Sequence, residues 1–296
     1  MVSQAFWFKK LSASFLLRFV FSIIFIFLAY GVLAFGEKGM VPFLIILTFL
    51  MGMEWVDLCR ITLRTKAILT FVVTVYTSLI LTHFGHLQAG MGVLFFVASI
   101  LLFMSWVTWR RGFAWLAMGI IYSGIPITFL LWLVRGYDNV FYLLIWVVCV
   151  VSANDIGGYC VGKLVRGPKL AKRISPNKTW SGFFGGLGLS LVVSYFYYLY
   201  FSFAIGLTFF LFLSLMMALV AVFGDLLESS IKRFFGAKDS GTLLPGHGGV
   251  FDRMDGYLAV IPFIALIIFL NPESFYPAEE KNSAETVLLD ANESLK

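Results

Sequence analysis

The chain has 296 residues, of which 60% are hydrophobic, 18% aromatic and 13% charged, with a formal net charge of +6. Soluble domains carry about a quarter of their residues as charges, so this composition excludes an ordinary soluble enzyme and indicates a polytopic membrane protein. Nucleic acid is not the expected partner, because the basic residues fall in short stretches between apolar segments, where anionic lipid surfaces and phosphate groups explain them better.

The expected fold is an all-α polytopic helical bundle of about nine transmembrane helices in a single membrane domain. N-terminal helices fill 1–135, helices with two charged loops fill 136–270, and a polar acidic tail occupies 271–296. Met1 to Lys10 is a short basic amphipathic start, and the absence of a small-residue cleavage site argues against a cleaved signal peptide. Apolar runs predict spans over 16–35, 40–56, 67–83, 89–108, 113–134, 139–162, 183–203, 205–224 and 256–270. The second and last are short for a span, and the connection near Phe203 is very tight.

Several polar residues in these runs read as structural. Glu54, Asp57, Arg60 and Arg64 have the spacing of a helix-surface ladder of ion pairs. His83 and His86, with no acid or cysteine nearby, read as an interfacial pair. Cys59, Cys149 and Cys160 have no metal-like spacing and read as small buried hydrophobes. Gly185, Gly186 and Gly188 permit close helix packing, and no strand precedes them to make a nucleotide fingerprint.

Orientation follows from lysine and arginine. The side holding the N-terminus and the loops after the second, fourth, sixth and eighth predicted spans carries 17 of them, and the other side carries 4, with Arg18 inside the first span uncounted. Basic residues stay on the cytoplasmic side. The N-terminus and both charged loops are therefore expected inside, and the acidic tail outside.

The sixth predicted span ends with Asn154-Asp155-Ile156-Gly157-Gly158-Tyr159. An acid inside a span either serves function or pairs with a neighbouring helix for packing. The loop that follows holds Lys163, Arg166, Lys169, Lys172, Arg173 and Lys178 without an acid, and closes with Ser175-Pro176-Asn177-Lys178-Thr179-Trp180. Cations with hydroxyls make a phosphate cradle. The early lysines serve either that cradle or topology alone, whereas Lys178 and Thr179 favour the cradle.

The densest charge runs from Asp225 to Asp255. Asp225, Glu228, Ser229 and Lys232 recur at i, i+3, i+4 and i+7, which puts them on one helix face. Arg233 and Lys238 follow, and then Gly236, Gly241, Pro245, Gly246, Gly248 and Gly249 break the helix around His247. Asp252 and Asp255 open the next apolar run. Carboxylates suit a hard cation such as Mg²⁺, which binds through one or two of them together with substrate phosphates. Lysine and arginine take the remaining phosphate charge, and glycines let backbone N–H groups approach an anion.

These residues carry a resemblance. Ser229-Ser230-Ile231-Lys232-Arg233, Lys238-Asp239, Pro245-Gly246-His247-Gly248-Gly249 and Asp252-Arg253-Met254-Asp255, in that order, resemble the signature of the phosphatidate cytidylyltransferases, or CDP-diacylglycerol synthases. Asp155 with Tyr159, and Ser175-Pro176 with Lys178-Thr179, resemble two shorter elements ahead of it, with Ile156 and Ser181 departing from the usual pattern. The resemblance covers roughly 140–270. It implies an integral membrane enzyme of phospholipid biosynthesis, in a bacterial inner membrane, that joins CTP to phosphatidic acid and gives CDP-diacylglycerol and pyrophosphate. It further implies Mg²⁺ as cofactor, with a second cation such as K⁺ left open, and a homodimer.

On that reading Asp225, Asp252, Lys232, Arg233, Ser229 and His247 are the candidate catalytic residues. Asp225, Asp252 and Asp255 would hold the metal. Lys178, Thr179, Ser175, Lys238, Asp239, Asp155, Gly248, Gly249 and Arg253 would bind substrate, Asp155 also serving as a further ligand or its support. His247 would either bind pyrophosphate or position the loop. Asp225 and Asp252 can meet only if the glycine loop folds back and brings the two helix ends together. Two other readings share these residues: another CTP- or ATP-dependent lipid kinase, and an ion-coupled transporter. The transporter is disfavoured because the charges cluster at one face and not at the midplane.

The charge split gives a test of topology. Cysteines introduced at Ser3 and Ser294 are expected to react with an impermeant thiol reagent in intact cells only at position 294. Labelling at 3 and not at 294 would reverse the assignment.

Overall fold

The computed structural model describes residues 30–137, 140–201, 205–243 and 248–271. Its helices are α1 (Glu37–Leu58), α2 (Arg64–His83), α3 (Leu87–Thr108), α4 (Arg111–Gly136), α5 (Val140–Val165), α6 (Trp180–Tyr200), α7 (Leu207–Phe234) and α8 (Phe251–Leu270). Among the described residues all eight are long and apolar enough to cross a membrane. A lipid-embedded backbone must satisfy its own N–H and C=O groups, and the helix does so locally whatever its side chains. The all-α expectation holds, and each described helix matches a predicted span. The first predicted span lies outside the described residues except for its end, where 30–34 are helical. The basic start, the connection at Phe203 and the acidic tail lie outside them too.

The largest boundary error concerns α7. Its predicted span stopped at 224, but the helix continues unbroken to Phe234, so Asp225, Glu228, Ser229 and Lys232 all lie on it. Likewise α8 starts at Phe251, ahead of the predicted 256, and already includes Asp252 and Asp255. Hydropathy ends where charge begins, whereas backbone hydrogen bonding does not.

The described chain divides into two compact units, one within 1–136 and 231–254, the other within 137–230 and 255–296. In the first unit α4 packs against α1, α2 and α3. Its centre is the fully buried Trp55, whose indole N–H donates to the Trp115 carbonyl at 2.8 Å. Gly119 faces that indole so closely that an added Cβ would come within 2.3 Å of it. Cys59 closes α1, and burial pushes its thiol up to about 12, which keeps it protonated and inert at neutral pH. Cys149 is half-buried and Cys160 exposed, so the expectation of three buried cysteines fails at Cys160.

The ladder expected along α1 does not form as one element. Arg64 reaches back to Asp57 in a bidentate pair at 2.5 and 2.8 Å, while Glu54 turns inward and is buried. His83 lies against Glu37 at 2.7 Å, and Arg135 meets the same carboxylate oxygen at 2.8 Å.

In the second unit α5 and α6 form the closest helix pair. Ser190 donates to the Val150 carbonyl at 3.0 Å and Tyr197 donates to the Tyr142 carbonyl at 2.7 Å, while Trp146 of α5 stacks on Phe210 of α7 at 4.1 Å. Glycine makes the approach possible: a Cβ on Gly185 would strike Val161, and one on Gly186 would meet Asn154 at 2.6 Å. Gly188, grouped with them from sequence, faces open space.

Between α5 and α6 the basic loop forms a hairpin that sequence did not predict. Strand β1 (Lys169–Ala171) pairs antiparallel with β2 (Ser175–Thr179), with Lys169 opposite Thr179 and Ala171 opposite Ser175. No apolar alternation marks these strands. They are held by backbone pairing, and a two-stranded ribbon tolerates Pro176 because both strands are edges.

Gly157 gives a test of the packing. A Cβ there would lie 2.6 Å from the Gly185 carbonyl oxygen and 2.9 Å from Leu189 Cβ. Because the first obstacle is backbone, Gly157→Ala is expected to force α5 and α6 apart and destabilise by about 1–3 kcal/mol. Gly188→Ala should be neutral. Melting curves in detergent check both, and an unshifted Gly157→Ala curve would show slack between the helices.

Candidate functional site

The candidate residues gather in two clusters, one in each unit. In the second unit the hairpin brings Lys178 onto α7, where its ammonium pairs with Asp225 Oδ2. Each side chain of this pair keeps 27% of its surface exposed. Ser229, one turn along the helix, donates to Asp225 Oδ1 at 3.2 Å. A carboxylate, a hydroxyl and an ammonium thus share one patch. Ser175 lies in β2.

Thr179 is spent differently from the expectation of a substrate contact. It caps α6, its Oγ1 accepting the Gly182 N–H at 3.1 Å, and it is buried. Such a cap satisfies a backbone donor that the helix start leaves open. Ser181 lies 3.1 Å from that hydroxyl and donates to the Arg166 carbonyl, tying the ends of the hairpin together.

Asp155 and Asp255 belong to the same unit. The Ser152 and Tyr257 hydroxyls meet at 3.3 Å, and both acids bear electrostatically on the Tyr257 hydroxyl. Asp155 is exposed on α5. Asp255 Oδ1 accepts the Gly256 N–H at 2.7 Å. Gly224, beside Asp225, leaves no room for a Cβ against the Asp255 carbonyl and Ala259, so α7 and α8 touch here.

In the first unit the centre is Asp252. Its Oδ1 accepts from Lys232 at 2.6 Å, and its carboxylate takes the Ser240 N–H at 2.9 Å and the Gly249 N–H at 2.8 Å. Lys232 is buried, so a charge-assisted bond of this kind is what makes its position affordable. The end of α7 meets the start of α8 through Lys232 and Asp252, whereas Asp225 pairs with Lys178 in the other cluster. Gly248 has φ +83° and a Cβ there would lie 2.6 Å from Asp252 Oδ2; one on Gly249 would lie 2.0 Å from Ser240 Oγ. Both loop positions demand glycine for space, and the first for conformation as well. Arg233 donates to the Ala237 carbonyl at 3.1 Å and helps close the end of α7. Arg233, Lys238, Asp239 and Arg253 are exposed. His247, with Pro245 and Gly246, lies outside the described residues.

Sequence reasoning missed Glu54 and Ser240. Glu54 is 3% exposed and accepts from Val250 N–H at 2.8 Å, Phe251 N–H at 3.0 Å and Ser240 Oγ at 3.2 Å. The signal was present: Glu54 falls within an apolar run, where an acid needs a partner. Its i, i+3 spacing to Asp57 suggested a surface ladder instead.

The donor set can be tested against Mg²⁺. Among the described residues no three His, Cys, Asp or Glu side chains converge as a cage. Mg²⁺ does not require one, since it keeps water and phosphate ligands. Asp225 with Ser229 fits: both offer hard oxygen, and the carboxylate is partly exposed. Asp252 offers less, because its oxygens already accept from Lys232, Ser240 and Gly249.

The profile of the cytidylyltransferase family matches residues 16–271. The chain belongs to that family. It is 34% identical over 249 residues to the phosphatidate cytidylyltransferase of Brucella suis biovar 1, covering 80% of this chain and 88% of that protein. The phosphatidate cytidylyltransferase of Staphylococcus aureus (strain COL) is 32% identical over 214 residues, 72% of this chain and 71% of that one. That of Staphylococcus haemolyticus is 31% identical over 215 residues, 73% and 72% respectively.

Gly248→Ala tests the loop. A left-handed conformation at a non-glycine residue costs about 1–2 kcal/mol, and the added Cβ collides with Asp252 Oδ2. The variant is expected to melt earlier and to lose the protection of the Gly249 amide from hydrogen exchange. Wild-type values for both would show that the loop does not need glycine there.

Proposed function

We propose that this chain transfers the cytidylyl group of CTP to phosphatidic acid, giving CDP-diacylglycerol and pyrophosphate. The observation that carries the reading is the meeting of Lys178 and Asp225, which joins the basic hairpin to the acidic face of α7. The names of the similar proteins point to the same substrates.

A phosphate oxygen of phosphatidic acid attacks the α-phosphorus of CTP, and the bond to the β-phosphate oxygen breaks. No protein nucleophile is required, so the work is positioning and charge neutralisation. Asp225 and Ser229 would hold Mg²⁺, with Asp252 and Asp255 as the remaining candidates. When bound it would offset charge on the triphosphate and polarise the α-phosphoryl oxygen. Lys178 is placed to exchange its carboxylate partner for a phosphate. The exposed Lys163, Arg166, Lys169 and Lys172 raise the local concentration of anions around it. Within the first unit, Lys232, Lys238 and Arg253 are the candidate cations for phosphate charge. The reaction belongs on the cytoplasmic face of a bacterial inner membrane, where the positive-inside count puts both loops, and the resemblance adds a homodimer.

Purified protein in detergent, given labelled CTP, phosphatidic acid and Mg²⁺, is expected to form CDP-diacylglycerol; no product would overturn the reading. Asp225→Asn should abolish most turnover and shift its Mg²⁺ dependence. Lys178→Ala should weaken KM or kcat by roughly ten- to a hundredfold, the worth of one charge-assisted contact. Near-normal turnover with unshifted Mg²⁺ dependence would remove Asp225 from the site.

A further inference from the structure

One carboxylate fastens both Ser240 and the start of α8 at Val250 and Phe251. Glu54 Oε1 accepts the Val250 N–H, while Oε2 accepts the Phe251 N–H and the Ser240 hydroxyl. The packing leaves no slack around it. A Cβ on Gly241 would lie 2.7 Å from Glu54 Oε1, and one on Gly249 would lie 2.6 Å from Oε2. Trp55, the next residue along, packs its ring 5.5 Å from that of Phe251.

The local sequence explains the need. Helix α8 starts at Phe251, preceded by Val250, whose side chain cannot accept a hydrogen bond. The first N–H groups of a helix require an acceptor, and the positive end of the helix dipole favours an anion there. Glu54 supplies both from a helix nearly two hundred residues earlier in the chain. Ser240 is the link to the candidate site, since its hydroxyl goes to Glu54 and its N–H to Asp252. Loss of Glu54 would release the segment that presents backbone donors to Asp252, and with it the seat of Lys232.

We propose that Glu54 is a positioning residue for the transfer reaction, holding Ser240, Val250 and Phe251 so that Asp252, Lys232 and Gly248-Gly249 keep their places. This rests on the function proposed above. Glu54 touches no reacting atom. It fixes where the loop backbone lies, and a displacement of about 1 Å in such a support can lower a rate about a hundredfold.

Glu54→Gln keeps the shape but offers one acceptor oxygen and turns an amide donor toward backbone N–H groups. It is expected to lower kcat about ten- to a hundredfold, with KM for CTP within about twofold. Hydrogen exchange should quicken at Val250 and Phe251 and stay unchanged in α5 and α6. Ser240→Ala removes a single donor and should move kcat and the same amides in the same direction by less. A purely structural peg would raise exchange throughout the chain and lower activity only in step with the unfolded fraction, which would overturn the proposal. So would wild-type kcat, or wild-type exchange at residues 250 and 251, in folded Glu54→Gln. If that variant does not fold, wild-type kcat and exchange in Ser240→Ala decide against the proposal. Exchange needs no turnover. Slower exchange of the loop in a wild-type chain that never makes CDP-diacylglycerol would therefore defeat the proposed function, and with it the catalytic half of this inference, while leaving the Glu54 fastening intact.

Discussion

In a bilayer every buried backbone N–H and C=O must find its partner inside the chain, and every charge must find a counter-charge or a set of dipoles. The eight described helices satisfy the first condition along their lengths. The difficulty is concentrated where helices start and stop. At the start of α8 the open donors are answered by Glu54, and at the start of α6 by Thr179. Each capping group lies beside candidate functional residues: Thr179 follows Lys178 in the chain, and the amides held by Glu54 directly precede Asp252. Helix ends supply directed donors and acceptors that the middle of a span cannot.

The acids divide into two kinds. Asp252 and Glu54 are saturated with donors and hold backbone in place. Asp225 is partly exposed and shares its oxygens with one ammonium and one hydroxyl. The first kind is suited to fixing geometry, the second to exchanging partners. A lysine held by a carboxylate is already positioned for a phosphate, so little side-chain entropy remains to be lost when the anion arrives. Glycine has a matching role. Gly248 and Gly249 let the loop backbone reach Asp252, and Gly157, Gly182 and Gly185 let α5 approach α6, which sets the two ends of the basic hairpin.

The number and place of the described spans were legible because hydrophobic length is a direct physical requirement of the bilayer. The charged stretch was legible as chemistry because acids, bases and glycines at that density have no use in hydrocarbon. Helix ends were not, since α7 carries its charges for ten residues past the apolar run. The hairpin was invisible for a related reason: its strands are held by backbone pairing that the side chains of Ser175-Pro176-Asn177-Lys178-Thr179 do not advertise.

The sequence by itself determined the class of protein, the spans, the charge asymmetry and the residues with the right chemistry for phosphate and a hard cation, because each depends on composition and spacing along one element. Only the tertiary structure decided which of them face one another. Lys178 meets Asp225, and Lys232 meets Asp252. Glu54 leaves its apparent ladder with Asp57 to hold the start of α8. Spacing along a helix is fixed by 3.6 residues per turn, so it can be read from the chain. Which helix end a buried carboxylate will cap depends on how distant segments pack, and no local pattern records that.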